Sequence, residues 1–254
     1  MSVEYDSSAD RIVFPSTGTK LDDLHNFTNG YSATFWFYRT GDTTTAFGVG
    51  YIHWTGNNAG NAQGWRTFIG DAAGAIPGAF GWFDNKTSRR RDTANGTLTG
   101  NNIWHFVAYT VLPGNTATDI HIYTALAGDN TVTEASYGTT TNGVGTFGSD
   151  AAFPIWFGSV SAVGQDWSFV GRLAEHMFFD HALTLNEVNG VFRNTKLLGM
   201  IHHTPLWLLR AHTTTPPLDP DLTPDRLNPE IPSGAPVLTR ANHAPVGQYV
   251  HYVG

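Results

Sequence analysis

What most constrains this chain is a recurrence of short apolar runs, each closed by turn-forming residues, that persists to about residue 180. Residues 32–38 (SATFWFY) follow the turn-like pair Asn29 and Gly30, and residues 104–111 (WHFVAYTV) lead into Pro113, Gly114 and Asn115. Other runs occupy 46–54, 64–69, 79–83, 119–125, 155–160 and 172–179. Segments this short, dense in aromatic and β-branched residues, are the pattern of a sandwich or barrel rather than of alternating strand–helix units. Glycine, at 28 of 254 residues, and an aromatic content of 13% suit pleated surfaces joined by many turns. Charged residues, only 14% of the chain, are too few for a helical protein of this size. The pattern predicts one large all-β domain.

Two helix starts interrupt it. Thr184, Leu185, Asn186 and Glu187 match the capping box, in which hydroxyl and carboxylate each satisfy an orphan amide. This predicts a short helix near 184–192 with Leu185, Val188, Val191 and Phe192 on one face. Thr204 and Pro205 read as a second cap and first helical position, leading into Leu206, Trp207, Leu208 and Leu209. Composition then shifts: nine of the 13 prolines lie between Pro205 and Pro245. Proline fixes φ and withholds a donor, so residues 213–254 are expected to form an extended arm. Stretched out, the arm reaches on the order of 130 Å at ~3.1 Å per residue. Its last stretch, residues 248–253, regains strand character and is able to pair with an exposed edge.

A formal net charge of −7 argues against a nucleic-acid partner, since such domains carry a basic face. The absence of cysteine removes disulfides and thiolate chemistry. No stretch reaches 18 consecutive apolar residues, so no membrane span is expected, and residues 1–11 lack the basic-then-apolar pattern of a secretion signal.

Four segments resemble a known family. Residues 32–38 resemble the fTisfWv strand of laminin-G-like domains, and residues 104–110 (WHFVAYT) resemble their WhhvAvt strand. Residues 120–128 stand where the lYvdG strand follows. Residues 169–175 (FVGRLAE), with 180–184 (DHALT) and then Glu187 and Val188, resemble the closing f.G.iaE…raLs..Ei segment. The order and spacing match over residues 1–195, a resemblance to the concanavalin A-like lectin/glucanase superfamily in its laminin-G-like form. It implies a two-sheet antiparallel jelly-roll sandwich, one sheet concave, with residues 1–212 as the domain and 213–254 as the arm. Phe35, Phe37, Trp104, Phe106, Ile122, Phe157 and Leu173 are expected in its core. Residues 205–209 (PLWLL) look like the segment that follows such domains in tailed-phage structural proteins.

Enzymes that share this superfamily's fold use a Glu-x-Asp-x-Glu strand, which sets acid and nucleophile on one face at retaining distance. None of the five glutamates, Glu4, Glu134, Glu175, Glu187 and Glu230, has that spacing, so no catalytic activity is expected. Sugar recognition needs ring faces beside amides and acids. Trp54, Asn57, Asn58, Trp65, Trp82, Asp84 and Asn85 supply that chemistry in loop-flanked positions, although aromatics in such a sandwich are mostly core. Asp84 with Asn85, Asp129 with Asn130, and Asp219 with Asp221 offer oxygens for calcium, but none forms a ligand loop, and no cofactor or metal is expected. The adjacent His202 and His203 would point different ways on a regular element. Arg89, Arg90 and Arg91 read as a solvated loop or as a dock for an acidic neighbour. In the arm, Leu218, Leu222, Leu227, Ile231 and Val237 are spaced as anchors, with Tyr249 and Tyr252 in the terminal strand.

The arm and the phage-like segment point to a non-catalytic structural protein of a bacteriophage virion, a decoration or cement protein contacting capsid or tail proteins and copies of itself. The alternative is a carbohydrate-binding adhesion module.

Overall fold

A computed structural model describes residues 2–5, 12–14, 24, 28–42, 48–55, 63–71, 74–158, 167–193, 207–209 and 239–241. Strand alternation in the sequence becomes fifteen strands among these residues: β1 (Ser2–Tyr5), β2 (Ile12–Phe14), β3 (Tyr31–Arg39), β4 (Val49–Thr55), β5 (Trp65–Gly70), β6 (Phe80–Asp84), β7 (Arg90–Thr93), β8 (Trp104–Val111), β9 (Ile120–Leu126), β10 (Thr133–Glu134), β11 (Tyr137–Thr141), β12 (Ile155–Phe157), β13 (Gly171–Phe179), β14 (Trp207–Leu209) and β15 (Thr239–Ala241). One helix, α1 (Leu185–Arg193), follows β13. Sheet A runs β10-β9-β8-β3-β13-β1-β15, with β14 also paired to β13, and sheet B runs β11-β7-β6-β5-β4-β12-β2. Every one of these pairings is antiparallel. The architecture is the expected two-sheet jelly-roll sandwich.

The inner faces of the two sheets bury one apolar core that includes Phe35, Phe37, Trp65, Phe80, Trp82, Tyr109, Ile122, Phe157 and Leu173. Inside it, Trp82 Nε1 donates to Tyr31 Oη across the sheets at 2.8 Å. Phe106 is buried too, and Trp104 half-buried, but both lie on the other side of sheet A, where α1 packs. There Trp36, Phe106, Met177 and Phe179 meet Val188, Val191 and Phe192.

Two bulges change which side chains reach the core. In β13, Glu175 and His176 together oppose Phe35 of β3, and Glu175 has a φ of +52°. In β4, Ile52 and His53 stand against Thr67 of β5. An extra residue inverts the alternation beyond it. His176 and Phe178 therefore point inward from sheet A, and His53 points inward from sheet B. The two imidazoles meet, His53 Nε2 and His176 Nδ1 being 3.2 Å apart. His53 Nδ1 lies 3.0 Å from Thr67 Oγ1 and 3.3 Å from Tyr109 Oη. Phe35 stacks on His176 and meets His53 edge-on, and Phe157 closes the box.

Helix α1 starts as expected. Thr184 N donates to Glu187 Oε2 at 2.8 Å, and Glu187 N donates to Thr184 Oγ1 at 3.4 Å. Val188, Val191 and Phe192 are buried as expected, but Leu185, expected on the same face, is 43% exposed. The second expected helix is corrected. Trp207–Leu209 is a strand, pairing with His176, Met177 and Phe178 just beyond the stretch of β13 that β1 covers. A short apolar run fits either element, and here an edge with free backbone groups takes it. Thr239–Ala241, within the segment expected to form an extended arm, adds to β1 as β15. The anchors Leu218, Leu222, Leu227, Ile231, Val237, Tyr249 and Tyr252, and also His202 and His203, lie outside the described residues.

The arginine run is corrected as well: it enters β7 and closes the sandwich. Arg89, 1% exposed, donates to the carbonyls of Leu112, Gly114 and Thr116. Arg91 donates to those of Thr118 and Ile120 and lies 3.4 Å from the centre of the Tyr137 ring. These cations thus make charge-assisted hydrogen bonds to carbonyls along the β8–β9 connection and at the start of β9.

Burial holds the His176 imidazole down at about 3, and burial together with the nearby His176 holds His53 well below its usual value. Unfolded, both take up protons near pH ~6.5. The stability from keeping them neutral is therefore complete above pH ~6.5 and drains as pH falls towards 3. His176 alone accounts for a loss of about 1.4 kcal/mol per pH unit through that window. Chemical denaturation at pH 7, 6, 5 and 4 should show this fall, and His176→Phe should flatten it. A profile that is unchanged by the substitution would refute the neutral pair.

Candidate functional site

Alternation along the strands of sheet B sends a second set of side chains to its outer face. One row crosses β12, β4, β5, β6 and β7 as Trp156, Trp54, Arg66, Phe83 and Arg90, set side by side by the strand registers. The next row runs Tyr51, Phe68, Gly81 and Asp92. Gly81 leaves its place empty for its neighbours. A Cβ there would lie 2.2 Å from the tip of the Phe68 ring and 2.5 Å from Asp92 Oδ1.

The two arginines in the first row are held differently. Arg90 forks onto Asp92, with Nε 3.0 and 2.8 Å from the carboxylate oxygens and Nη2 2.6 Å from Oδ2. Burial pushes the Asp92 carboxyl up, and Arg90 pulls it back. Arg66 rests on rings instead, 4.5 Å from the centre of Phe83, 5.2 Å from Trp54 and 5.5 Å from Tyr51. Cation–π attraction supplies part of what water no longer does. Burial raises the Tyr51 hydroxyl, against the pull of Arg66 and Arg90, so the phenol stays neutral and able to donate.

Trp167 forms the wall. Tyr51 N donates to the Trp167 carbonyl at 2.9 Å, and the two rings meet edge to face at 5.7 Å. Ile76, in the connection between β5 and β6, packs against the same aromatic cluster. Val49, Tyr51, Arg66, Phe68, Ile76 and Trp167, with Phe83 and Arg90 at the end, enclose a cup of about 280 Å³. That is close to the lower end of ligand-pocket volumes, ~300 Å³. Ring faces, a neutral phenol and a cation around such a space suit a small ring-shaped molecule with polar edges.

The sequence-derived sugar residues divide across the sheet. Trp54 belongs to the outer row, but it is only 2% exposed, packed against Arg66 and Tyr51, and does not line the cup. Trp65 and Trp82 are fully buried on the inner face, so neither presents a ring to a ligand. Asp84 is buried and accepts from Lys86 N, Thr87 N and Thr87 Oγ1, a turn-forming role. Asn85 Nδ2 reaches Gln63 O at 3.5 Å. Asn57 and Asn58 lie outside the described residues. Tyr51, Arg66, Phe68, Phe83 and Trp167 escaped the sequence reading, and Arg90 was read only as part of the arginine run. For Arg66, Phe68 and Phe83 the signal was the alternate positions of WRTFIG and FGWFD, whose other positions include the buried tryptophans. Glu134 bonds His121 and Tyr137, Glu187 caps α1, and Glu175 is buried in the β13 bulge. Among the described residues, no group of three or more His, Asp or Glu is placed to hold a metal, and no helix is long and apolar enough to cross a membrane.

No family model and no curated protein matches the chain by sequence. Solved structures do match in shape. A Bacteroides ovatus protein provisionally assigned as carbohydrate-binding aligns at TM-score 0.55 and 13% identity, over 94% of this chain and 59% of its own. The CBM40 of the Ruminococcus gnavus IT-sialidase aligns at TM-score 0.50 and 12% identity, over 75% of this chain and 96% of its own. A heptameric pentraxin of Limulus polyphemus aligns at TM-score 0.49 and 12% identity, over 75% and 81%. At such identities the first two likenesses show the fold alone, a two-sheet antiparallel jelly-roll sandwich.

The shape of the outer face hinges on Gly81. Gly81→Val should displace the Phe68 ring and the Asp92–Arg90 pair, costing about 1–3 kcal/mol as overpacking does. Denaturant unfolding of the variant checks this, and an unchanged midpoint would show that the face rearranges freely.

Proposed function

We propose that this chain is a non-catalytic carbohydrate-binding domain that seats a sugar ring in the cup on the outer face of sheet B. The observation that carries this reading is the cup itself, where ring faces and two guanidinium groups line one open concavity. The apolar face of a sugar stacks on aromatic rings while its hydroxyls take directed hydrogen bonds, and Trp167, Tyr51 and Arg66 offer both. The similarity in fold to a protein assigned as carbohydrate-binding supports it. Trp167→Ala and Tyr51→Ala should each weaken binding to a responsive glycan by about ten-fold or more, whereas Leu126→Ala, on an exposed position of sheet A, should leave it unchanged. A glycan array followed by calorimetry measures this. Binding that survives both cup variants would overturn the reading.

A second reading, a structural protein of a bacteriophage virion, is supported by sequence: the proline-rich stretch from 213 and the PLWLL segment. Capsid or tail proteins, and copies of the chain itself, would then be the partners, and the virion the location. The pairing of β15 with β1 bears on its test. Deleting residues 213–254 should leave the domain folded with a nearly unchanged Tm while abolishing its binding to the particle. Unfolding of the truncated domain, with particle binding intact in what survives, would mean that the segment serves the fold.

A further inference from the structure

Among the described residues, one cation of the cup has no counter-ion. Arg90 is spent on Asp92 through a bidentate pair. Arg66, its neighbour but one across the sheet, sits over three rings and, among the described residues, makes no ion pair and no side-chain hydrogen bond. Its Nε is buried without a partner. The charged groups that act on it are Tyr51 and Arg90; the first is a neutral phenol and the second a like charge. Taking a guanidinium out of water without a counter-ion is costly, and three ring faces return part of that cost. In a chain of net charge −7, a guanidinium that lines an aromatic cup and has no counter-ion among the described residues is out of place as surface decoration.

Resting on the carbohydrate reading above, we infer that the cup selects a sugar bearing a carboxylate, the acid group meeting Arg66 while the ring stacks on the aromatic walls. A guanidinium offers a planar fork that matches a carboxylate with two parallel hydrogen bonds, and the aromatic stack already fixes the plane of the fork. A carboxylate also fits the setting better than a free inorganic anion. Val49, Ile76 and Trp167 surround the cation with apolar surface, which a small hydrated ion would leave bare and a sugar ring would cover. Asp92 does not repel the ligand, because Arg90 neutralises it and it is only 1% exposed. The volume of about 280 Å³ accommodates a single ring, which places the acid on the residue inside the cup rather than farther along a chain.

The test uses the unaltered protein first. Galacturonic and glucuronic acid oligomers, the methyl esters of the same oligomers, and galactose and glucose oligomers are compared by calorimetry at low salt. Acids should bind at least about ten-fold more tightly than their esters, since a hydrogen bond to a charged group is worth ~1.5–3 kcal/mol, and the advantage should shrink as salt rises. Arg66→Gln should remove the preference, and Arg66→Lys should keep part of it, charge without a fork. Acids and esters binding equally well would overturn the inference and leave the carbohydrate reading standing. A preference for acids that Arg66→Gln leaves intact would also overturn it. No binding by any oligomer, with the variants folded, would remove both.

Discussion

A strand shows alternate residues to alternate faces, and two central strands here break that rule at facing positions. The bulge in β13 and the bulge in β4 each insert one residue, and each inverts the faces beyond it. Because of the first, β13 gives Leu173 to the core before the bulge and His176 and Phe178 after it, while Ala174, Met177 and Phe179 serve the helix side. Because of the second, β4 gives Ile52 and His53 to the core and keeps both Tyr51 and Trp54 for the outer face. Removing either inversion would turn Trp54 inward or Phe178 outward. The imidazole pair marks where the two irregularities face each other. The same inserted residue in β4 keeps the Trp54 ring on the outer face, where Arg66 rests on it.

Most of the strand framework was legible. Residues 32–38, 104–111 and 172–179 became β3, β8 and β13 with ends shifted by a residue or less, since dense aromatic and β-branched runs between turns have few other solutions. The helix was legible for a different reason: Thr184 and Glu187 are a local device that works the same way wherever it occurs. What the sequence hid was facing. Trp54, Trp65 and Trp82 look alike as letters, yet the β4 bulge and the registers of β5 and β6 place one outside and two inside. Arg89, Arg90 and Arg91 looked like one basic cluster. Alternation assigns them to separate tasks, and only the partners, three carbonyls, a carboxylate and a tyrosine ring, reveal which. These are long-range facts, and no local pattern encodes them.

Charge is used sparingly and in fixed places. With so few ionisable side chains, the protein buries several of them instead of spreading them over the surface. Arg89 ties together the carbonyls of one connection, Asp92 is covered by Arg90, and Arg39 donates to Asn101 and to the Gly70 carbonyl. Each of these guanidinium groups is held by oxygen partners, carbonyl, amide or carboxylate. Among the described residues, Arg66 differs in resting on rings.

The segregation of tryptophans gives the molecule an optical consequence. Trp65 and Trp82 are enclosed between the sheets, whereas Trp156 and Trp167 are half-buried on the outer face beside Trp54. Light absorbed by the enclosed indoles is emitted from a rigid, dry surrounding. Light absorbed by the outer ones is emitted beside a guanidinium and within reach of dissolved quenchers. With Trp36 and Trp104 on the helix side of sheet A, the indoles are divided among three layers of the fold, and a quencher or ligand that reaches the outer face of sheet B acts on only one of them.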